Sequence, residues 1–390
     1  MTTKPSFIDA HKAFKKVLGK NFDDNATNSL ISLMAQNTPI RNADFINLVN
    51  SLVPMSMKNG LIKINTGENS VNNVSELWGS GSYGQIEKGV SGVIYKKITL
   101  EIDHELNNEI KNVFLEAWMQ TVMGLDTKYG TNIGKIRNIY RDISLAKDWY
   151  TDPTTQRCIL YITMDFNKFK FIDYLNSFDK PTLENVKPQF IQLGNVLDHL
   201  DATYKFRHRD LHTGNVMFGE DKAVKLIDFG RSCFTFDSSV NGDMAIFNMP
   251  DFGGLIPEQL IGTNEQTCFS VDLLIFLVSI VENYRKNMST SLYVYINKLL
   301  TGDQGTNFYR YTRDLRREEY AYWQCYPDKF EIWDVEQLEE LARCDTLKPS
   351  GFVLALENSD TKNKGKMNGG KTLRRKRNSK RNTKTSKVLR

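Results

Sequence analysis

The feature that most constrains this chain is a pair of short polar runs: His208-Arg209-Asp210-Leu211-His212-Thr213-Gly214-Asn215, then Asp228-Phe229-Gly230, eighteen residues after Asp210. Two short strands are expected beside them, in the apolar stretches that adjoin Asn215 and Asp228. Phosphoryl transfer asks little covalent chemistry of a protein. It asks for a carboxylate near the attacking hydroxyl and for hard oxygen ligands that hold Mg²⁺ against phosphates. Asp210 would accept the hydroxyl proton, and Asn215 with Asp228 would face the metal. His208 and His212 also form an HxxxH pair, a spacing that can bind zinc on a helix, but no Glu follows the first His and Gly214 would break the helix. His208 is better read as a packed core histidine.

The combined runs, at this spacing, resemble the catalytic and metal loops of eukaryotic-type protein kinases, and the resemblance extends over roughly residues 74–345. It implies an α+β bilobal fold, with a small antiparallel β lobe carrying one helix and a larger, mainly helical lobe. ATP and Mg²⁺ are the implied cofactors and a protein the implied substrate. Gly79-Ser80-Gly81-Ser82-Tyr83-Gly84 matches GxGxxG and lies between two expected strands, so Gly79, Gly81 and Gly84 resemble the kinase glycine loop rather than a dinucleotide turn, which must open a helix. In Val93-Ile94-Tyr95-Lys96-Lys97-Ile98, strand alternation sends Lys96 and Lys97 to opposite faces. Only one can enter the cleft, and the resemblance to V-A-x-K-K-I strands selects Lys96. Ile94 stands where the family usually has alanine, which predicts a narrowed nucleotide pocket. A helix over about 105–123 offers Glu105, Glu109 and Glu116 as the lysine's partner. Glu109 and Glu116 are seven apart and nearly share a face, so periodicity leaves both open; distance from Lys96 and the trailing Met119 and Met123 favour Glu116.

Tyr161 to Asn167 resembles the last small-lobe strand and hinge, which would put Met164 behind the adenine and the backbone of Asp165 and Asn167 on the base. After the DFG run a loop of about 25 residues leads to Ile256-Pro257-Glu258, similar to the motif that ends a kinase activation segment. Ser232, Thr235, Ser238 and Ser239 lie in that loop, and a phosphate there would pair with Arg209. Asp272 opens an apolar helix, and a buried acid in such a run must be hydrogen-bonded. His212 departs from the lysine usual in serine/threonine kinases and resembles the loops of aminoglycoside and choline kinases. The expected function is transfer of the γ-phosphate to protein Ser/Thr hydroxyls. The alternatives are a small-molecule phosphotransferase and a pseudokinase scaffold.

Elsewhere the chain carries less chemistry. Residues 1–70 read as a helical extension of two or three short helices, 74–166 as the small lobe, 167–345 as the large lobe, and 346–390 as a basic tail too poor in apolar groups to fold. Residues 361–390 hold thirteen Lys or Arg and no acid, so the formal charge of +5 conceals a body at 5 − 13 = −8. That run reads as a solvated end, a targeting signal or a contact for nucleic acid or another polyanion. Its GGKTLRRKRNSKR stretch and the divergent core also resemble proteins of mimivirus-like giant DNA viruses. Five scattered cysteines without a CxxC pair predict a reducing compartment. With no secretory leader and no run long enough for a bilayer, the expectation is a soluble intracellular protein without membrane contact, in cytoplasm or nucleus, or in a host cell or virion. Nothing in the sequence bears on oligomeric state.

Overall fold

The computed structural model describes residues 4–19, 22–36, 40–52, 76–81, 84–88, 92–101, 109–141, 157–165, 169–219, 221–249, 272–301 and 348–368. The chain opens with three helices: α1 (Phe7–Leu18), α2 (Asp24–Met34) and α3 (Asn42–Leu52). Ser6 caps α1 by accepting the Asp9 N–H at 3.1 Å, and Asp23 caps α2 by accepting that of Ala26 at 2.7 Å, satisfying donors that the first turn leaves unpaired. Phe7, Ala10, Phe14 and Leu18 recur at helical spacing and are buried together.

A five-stranded antiparallel sheet follows: β1 (Glu76–Gly81), β2 (Gly84–Lys88), β3 (Val93–Glu101), β4 (Ile136–Arg141) and β5 (Arg157–Asp165), in the order β1-β2-β3-β5-β4. Helix α4 (Glu109–Gly124) connects β3 to β4. Trp118 of α4 is fully buried, with ring centroids of Phe14 at 5.2 Å, Phe247 at 5.8 Å and Phe236 at 5.9 Å. Phe45 of α3 packs on Phe114 at 5.6 Å, and the buried ammonium of Lys111 donates to the Gln36 carbonyl just past α2 at 2.5 Å. Helices α1 to α3 therefore share a core with α4 and fix its position over the sheet.

The second half is mainly helical. It holds β6 (Phe169–Lys170), α5 (Phe171–Asn176), α6 (Leu183–Tyr204), β7 (Val216–Phe218), β8 (Val224–Leu226), β9 (Cys233–Asp237), β10 (Met244–Asn248), α7 (Asp272–Tyr284), α8 (Thr290–Thr301) and α9 (Pro349–Asn368). The stripe Val186, Phe190, Leu193, Leu197 and Leu200 is the buried face of α6. Strands β7 and β8 form a hairpin whose open end carries Asn215 just before β7 and Asp228 just past β8. This is the bilobal α+β architecture of a protein kinase.

Two segments differ from the sequence expectation. Part of the loop expected after Gly230 is a hairpin: β9 and β10 pair antiparallel from Cys233↔Asn248 to Asp237↔Met244. Phe234, Phe236 and Phe247 are buried there against Trp118 and Tyr204, so part of a segment expected to be a loop belongs to the core. The segment from 346, expected to stay unfolded, contains α9. Phe352 and Leu356 bury against α6, where a Cβ on Gly194 would come within 2.6 Å of Val353. Glycine there lets the two helices approach closely. The basic run 371–390 lies outside the described residues, as do Pro54, Glu105, Asn167 and the Ile256-Pro257-Glu258 motif. Among the described residues, no helix is long and apolar enough to cross a membrane.

The turn after α4 is tied to α6 by one carboxylate. Asp126 accepts the backbone N–H groups of Lys128 and Tyr129, both at 2.8 Å, and the side chains of His199 and Tyr204, both at 2.9 Å. Burial pushes its carboxyl up, but these donors outweigh burial and hold it below its ordinary value. A depressed folded pKa gives stability that is present above the unfolded value of 3.8 and is lost as pH falls through the folded one. Asp126→Asn should therefore lower stability at pH 7 and flatten its fall in acid below about pH 4, read from denaturation midpoints across pH. Trp118→Ala should cost roughly 3–5 kcal/mol in chemical denaturation, because three rings around it would line a cavity.

Candidate active site

Lys96 sits on β3 with Ile86 opposite it on β2 and Ile162 on β5. Its ammonium donates to both oxygens of Glu116, at 2.9 and 3.0 Å, and to Asp228 Oδ1 at 2.7 Å. Lys97 points to the other face and pairs with Glu87 at 3.7 Å. Strand alternation accounts for the divergence of the two lysines, and packing decides which glutamate is met: Glu116 lies in the buried middle of α4, while Glu109 is its first residue. One ammonium shared by two carboxylates leaves an excess negative charge. Burial depresses the Lys96 pKa, yet Asp228 and Glu116 more than reverse this and keep it charged. Asp228, the more open carboxylate, is pushed up by burial but held below its usual range by Lys96. Glu116, more deeply buried, is pushed up by burial, with Lys96 drawing it back and Asp228 adding to the rise.

The backbone of the DFG run turns through the left-handed region at Asp228, φ 60°. That conformation costs a non-glycine residue on the order of 1–2 kcal/mol. It aims the carboxylate into the cleft while Phe229 goes the other way, fully buried between Phe206 at 5.3 Å and His208 at 5.5 Å. A Cβ on Gly230 would stand 3.1 Å from Asp228 Oδ1 and 3.5 Å from Glu116 Oε2, so a side chain there would crowd the carboxylates.

The catalytic-loop residues are held from below by α7. Asp272 is buried and accepts the backbone N–H of His208 at 2.9 Å and of Arg209 at 2.7 Å, which offsets the strain of Arg209 at φ 64°. Two helical turns further on, Ser279 accepts the Thr213 N–H at 3.0 Å. His208 packs as a core residue and donates from Nε2 to the Ile227 carbonyl at 3.0 Å. Asn215 donates its amide to the Asp210 carbonyl at 2.8 Å and receives the Ile227 N–H on its own carbonyl at 3.1 Å. These bonds place Asn215 beside the Asp228 backbone.

Around the Asp210 carboxylate stand two basic groups: Arg231 Nε at 3.8 Å and His212 Nε2 at 4.0 Å, both measured to Oδ2. Burial raises the Asp210 pKa, against the pull of Arg231 and then His212. The guanidinium of Arg209 donates to the Asn248 side chain at 2.7 Å at the end of β10. Ser232, one of the candidate phosphorylation sites, is fully buried and donates to the His208 carbonyl at 3.2 Å. Asn248 and Arg231 were not anticipated from sequence: Asn248 enters the site at the end of the hairpin, and Arg231 directly follows the DFG run without being part of it.

The donor set fits a magnesium ion. Asn215, with its Nδ2 committed to Asp210, has its side-chain oxygen left as the ligand atom, and Asp228 is held ionised. Among the described residues no group of three or more His, Cys, Asp or Glu forms a metal cage. Two side-chain oxygens completed by phosphates and water is the usual manner of holding magnesium. Above the cleft, Gly79 pairs with Ile86 and Gly81 with Gly84 in the β1–β2 hairpin, and Ile94 pairs with Met164, both buried. Asp165 ends β5, with its N–H on the Lys135 carbonyl and its carboxylate on Arg137. Asp272→Asn should cost roughly 1–3 kcal/mol in denaturant unfolding, because an amide NH₂ would face one of the two loop N–H groups.

A search of curated proteins finds no match to the chain. A family model does match it: the haspin-like kinase domain, over residues 10–250. The matched span begins inside α1 and ends just after β10, so it takes in the helices over α4, the sheet, the catalytic loop and the hairpin.

Proposed function

The chain belongs to the haspin-like kinase family, and from that premise we propose that it transfers the γ-phosphate of ATP to serine or threonine hydroxyls of proteins. The observation that carries this reading is the Lys96–Glu116–Asp228 ion triad, built from three separate elements, with Asn215 bonded to Asp210 and, through Ile227, set next to Asp228. A lysine held by two acids at the mouth of a glycine hairpin suits the phosphates of a nucleoside triphosphate.

In this reading each residue has one task. Gly79, Gly81 and Gly84 let backbone N–H groups approach the phosphates, and Lys96 binds them. Met164, Asp165 and Asn167 border the base. Asn215 and Asp228 hold Mg²⁺, which when bound neutralises phosphate charge. Asp210 takes the proton of the acceptor hydroxyl; its raised pKa makes it a better base than an exposed aspartate. His212 orients beside Asp210, and Arg209 fixes the loop to the hairpin through Asn248. The basic tail supplies an electrostatic contact for a polyanion or an acidic partner.

The test is purified protein with radiolabelled ATP and Mg²⁺, offered a generic basic protein and small aminoalcohols. Label is expected in the protein, and Asp210→Asn and Asp228→Ala should each reduce it by at least about 10²-fold. Label confined to the aminoalcohols would transfer the assignment to small-molecule phosphotransferases. Nucleotide binding without transfer to any acceptor would make the chain a scaffold.

A further inference from the structure

The transfer step needs positive charge where the phosphoryl group passes, and among the described residues few cations stand near Asp210. Lys96 is committed to Glu116 and Asp228, at 2.9 and 2.7 Å. His212, in the position where related loops carry lysine, accepts the Gly214 N–H on its Nδ1 at 3.0 Å. That bond ties the ring to the backbone of its own loop. Its side chain is also 44% exposed, where water weakens any charge it gains.

We propose that Arg231, the residue after the DFG run, is the cation of the transfer step, bonding an oxygen of the phosphoryl group in transit beside Asp210. The proposal rests on the kinase reading above and names a residue that reading does not use. The guanidinium stands 3.8 Å from Asp210 Oδ2 and its side chain is only 13% exposed, so its field is little screened. A guanidinium is a permanent cation, and its planar shape matches the spacing of phosphoryl oxygens.

Its backbone is fixed on both sides. Ser232 N–H bonds to the Phe229 carbonyl at 3.0 Å, Ser232 Oγ to the His208 carbonyl at 3.2 Å, and Cys233 exchanges two bonds with Arg207, both at 3.0 Å. Arg231 is therefore anchored to the catalytic loop itself, and the charge is pre-positioned, which is what makes such groups effective. In the step, the acceptor oxygen forms its bond to the γ-phosphorus as the bond to the β,γ-bridging oxygen breaks. The hydroxyl proton passes to Asp210 and ADP leaves with the bond's electron pair. Arg231 offsets the charge on the non-bridging oxygens and neither gains nor loses a proton.

The test compares wild type, Arg231→Ala and Arg231→Lys in two assays: steady-state phosphoryl transfer, and calorimetric binding of Mg²⁺–ADP with and without aluminium fluoride, which imitates the phosphoryl group in transit. Arg231→Ala should lower kcat by about 10²–10³-fold with the KM for ATP within about threefold, and Lys should restore part of the loss. The aluminium fluoride complex should weaken in Arg231→Ala by a similar factor while Mg²⁺–ADP binds as before. The proposal is overturned if Arg231→Ala keeps kcat and aluminium fluoride affinity near wild type. It is overturned equally if the variant loses Mg²⁺–ADP affinity and thermal stability together and Lys restores nothing, the mark of a merely structural residue. A wild type that neither transfers phosphate nor binds aluminium fluoride with ADP would instead remove the kinase reading, and this proposal with it.

Discussion

A single buried ammonium, that of Lys96, is shared by Glu116 from α4 and Asp228 from the loop after β8, and the geometry of the cleft depends on it. Burying two carboxylates is expensive unless each finds a counter-charge, and removing the lysine would leave both uncompensated. The triad therefore locks β3, α4 and the DFG run into one relative position. Any displacement of α4 along its axis would pull Glu116 out of reach, so whatever holds α4 also holds the site.

The packing of α4 supplies that hold. Trp118 lies two residues beyond the glutamate in a cage of Phe14, Phe236 and Phe247, so the N-terminal helices and the β9–β10 hairpin hold the same helix through one side chain. In many kinases the segment after the DFG run must be ordered by a phosphate placed near the loop arginine. Here Arg209 already has an amide partner in Asn248, and the hairpin that carries Asn248 is anchored by buried aromatic rings. Apolar burial thus supplies order that a charged modification supplies elsewhere. The left-handed residues of the site, Arg209 and Asp228, persist because Asp272 and Lys96 over-determine them.

Much of this was legible beforehand, and the exceptions have physical causes. Alternation along β3 separated Lys96 from Lys97 without any structure. The glutamate could not be settled that way, since seven residues are close to two full turns and keep Glu109 and Glu116 on nearly one face. The hairpin was overlooked although CFTFD and MAIFN each alternate and SSVNG between them carries a turn signal. The family resemblance led to a loop being expected, while the period-two pattern spoke for strands. Helix α9 was missed because its apolar content is one short patch, Phe352 to Leu356, in a polar surrounding. That patch becomes structure only because Gly194 lets α6 accept it.

The sequence by itself determined the chemical inventory of the proposed site: two aspartates and an asparagine at fixed offsets, a lysine on one face of a strand and a glycine turn, each recognisable by its local spacing. Tertiary structure alone decided the pairings: Glu116 for Lys96, Asn248 for Arg209, and Arg231 beside Asp210. Local spacing fixes which face of an element a residue occupies. It says nothing of which face, 132 positions away in the chain as Lys96 is from Asp228, will be packed against it.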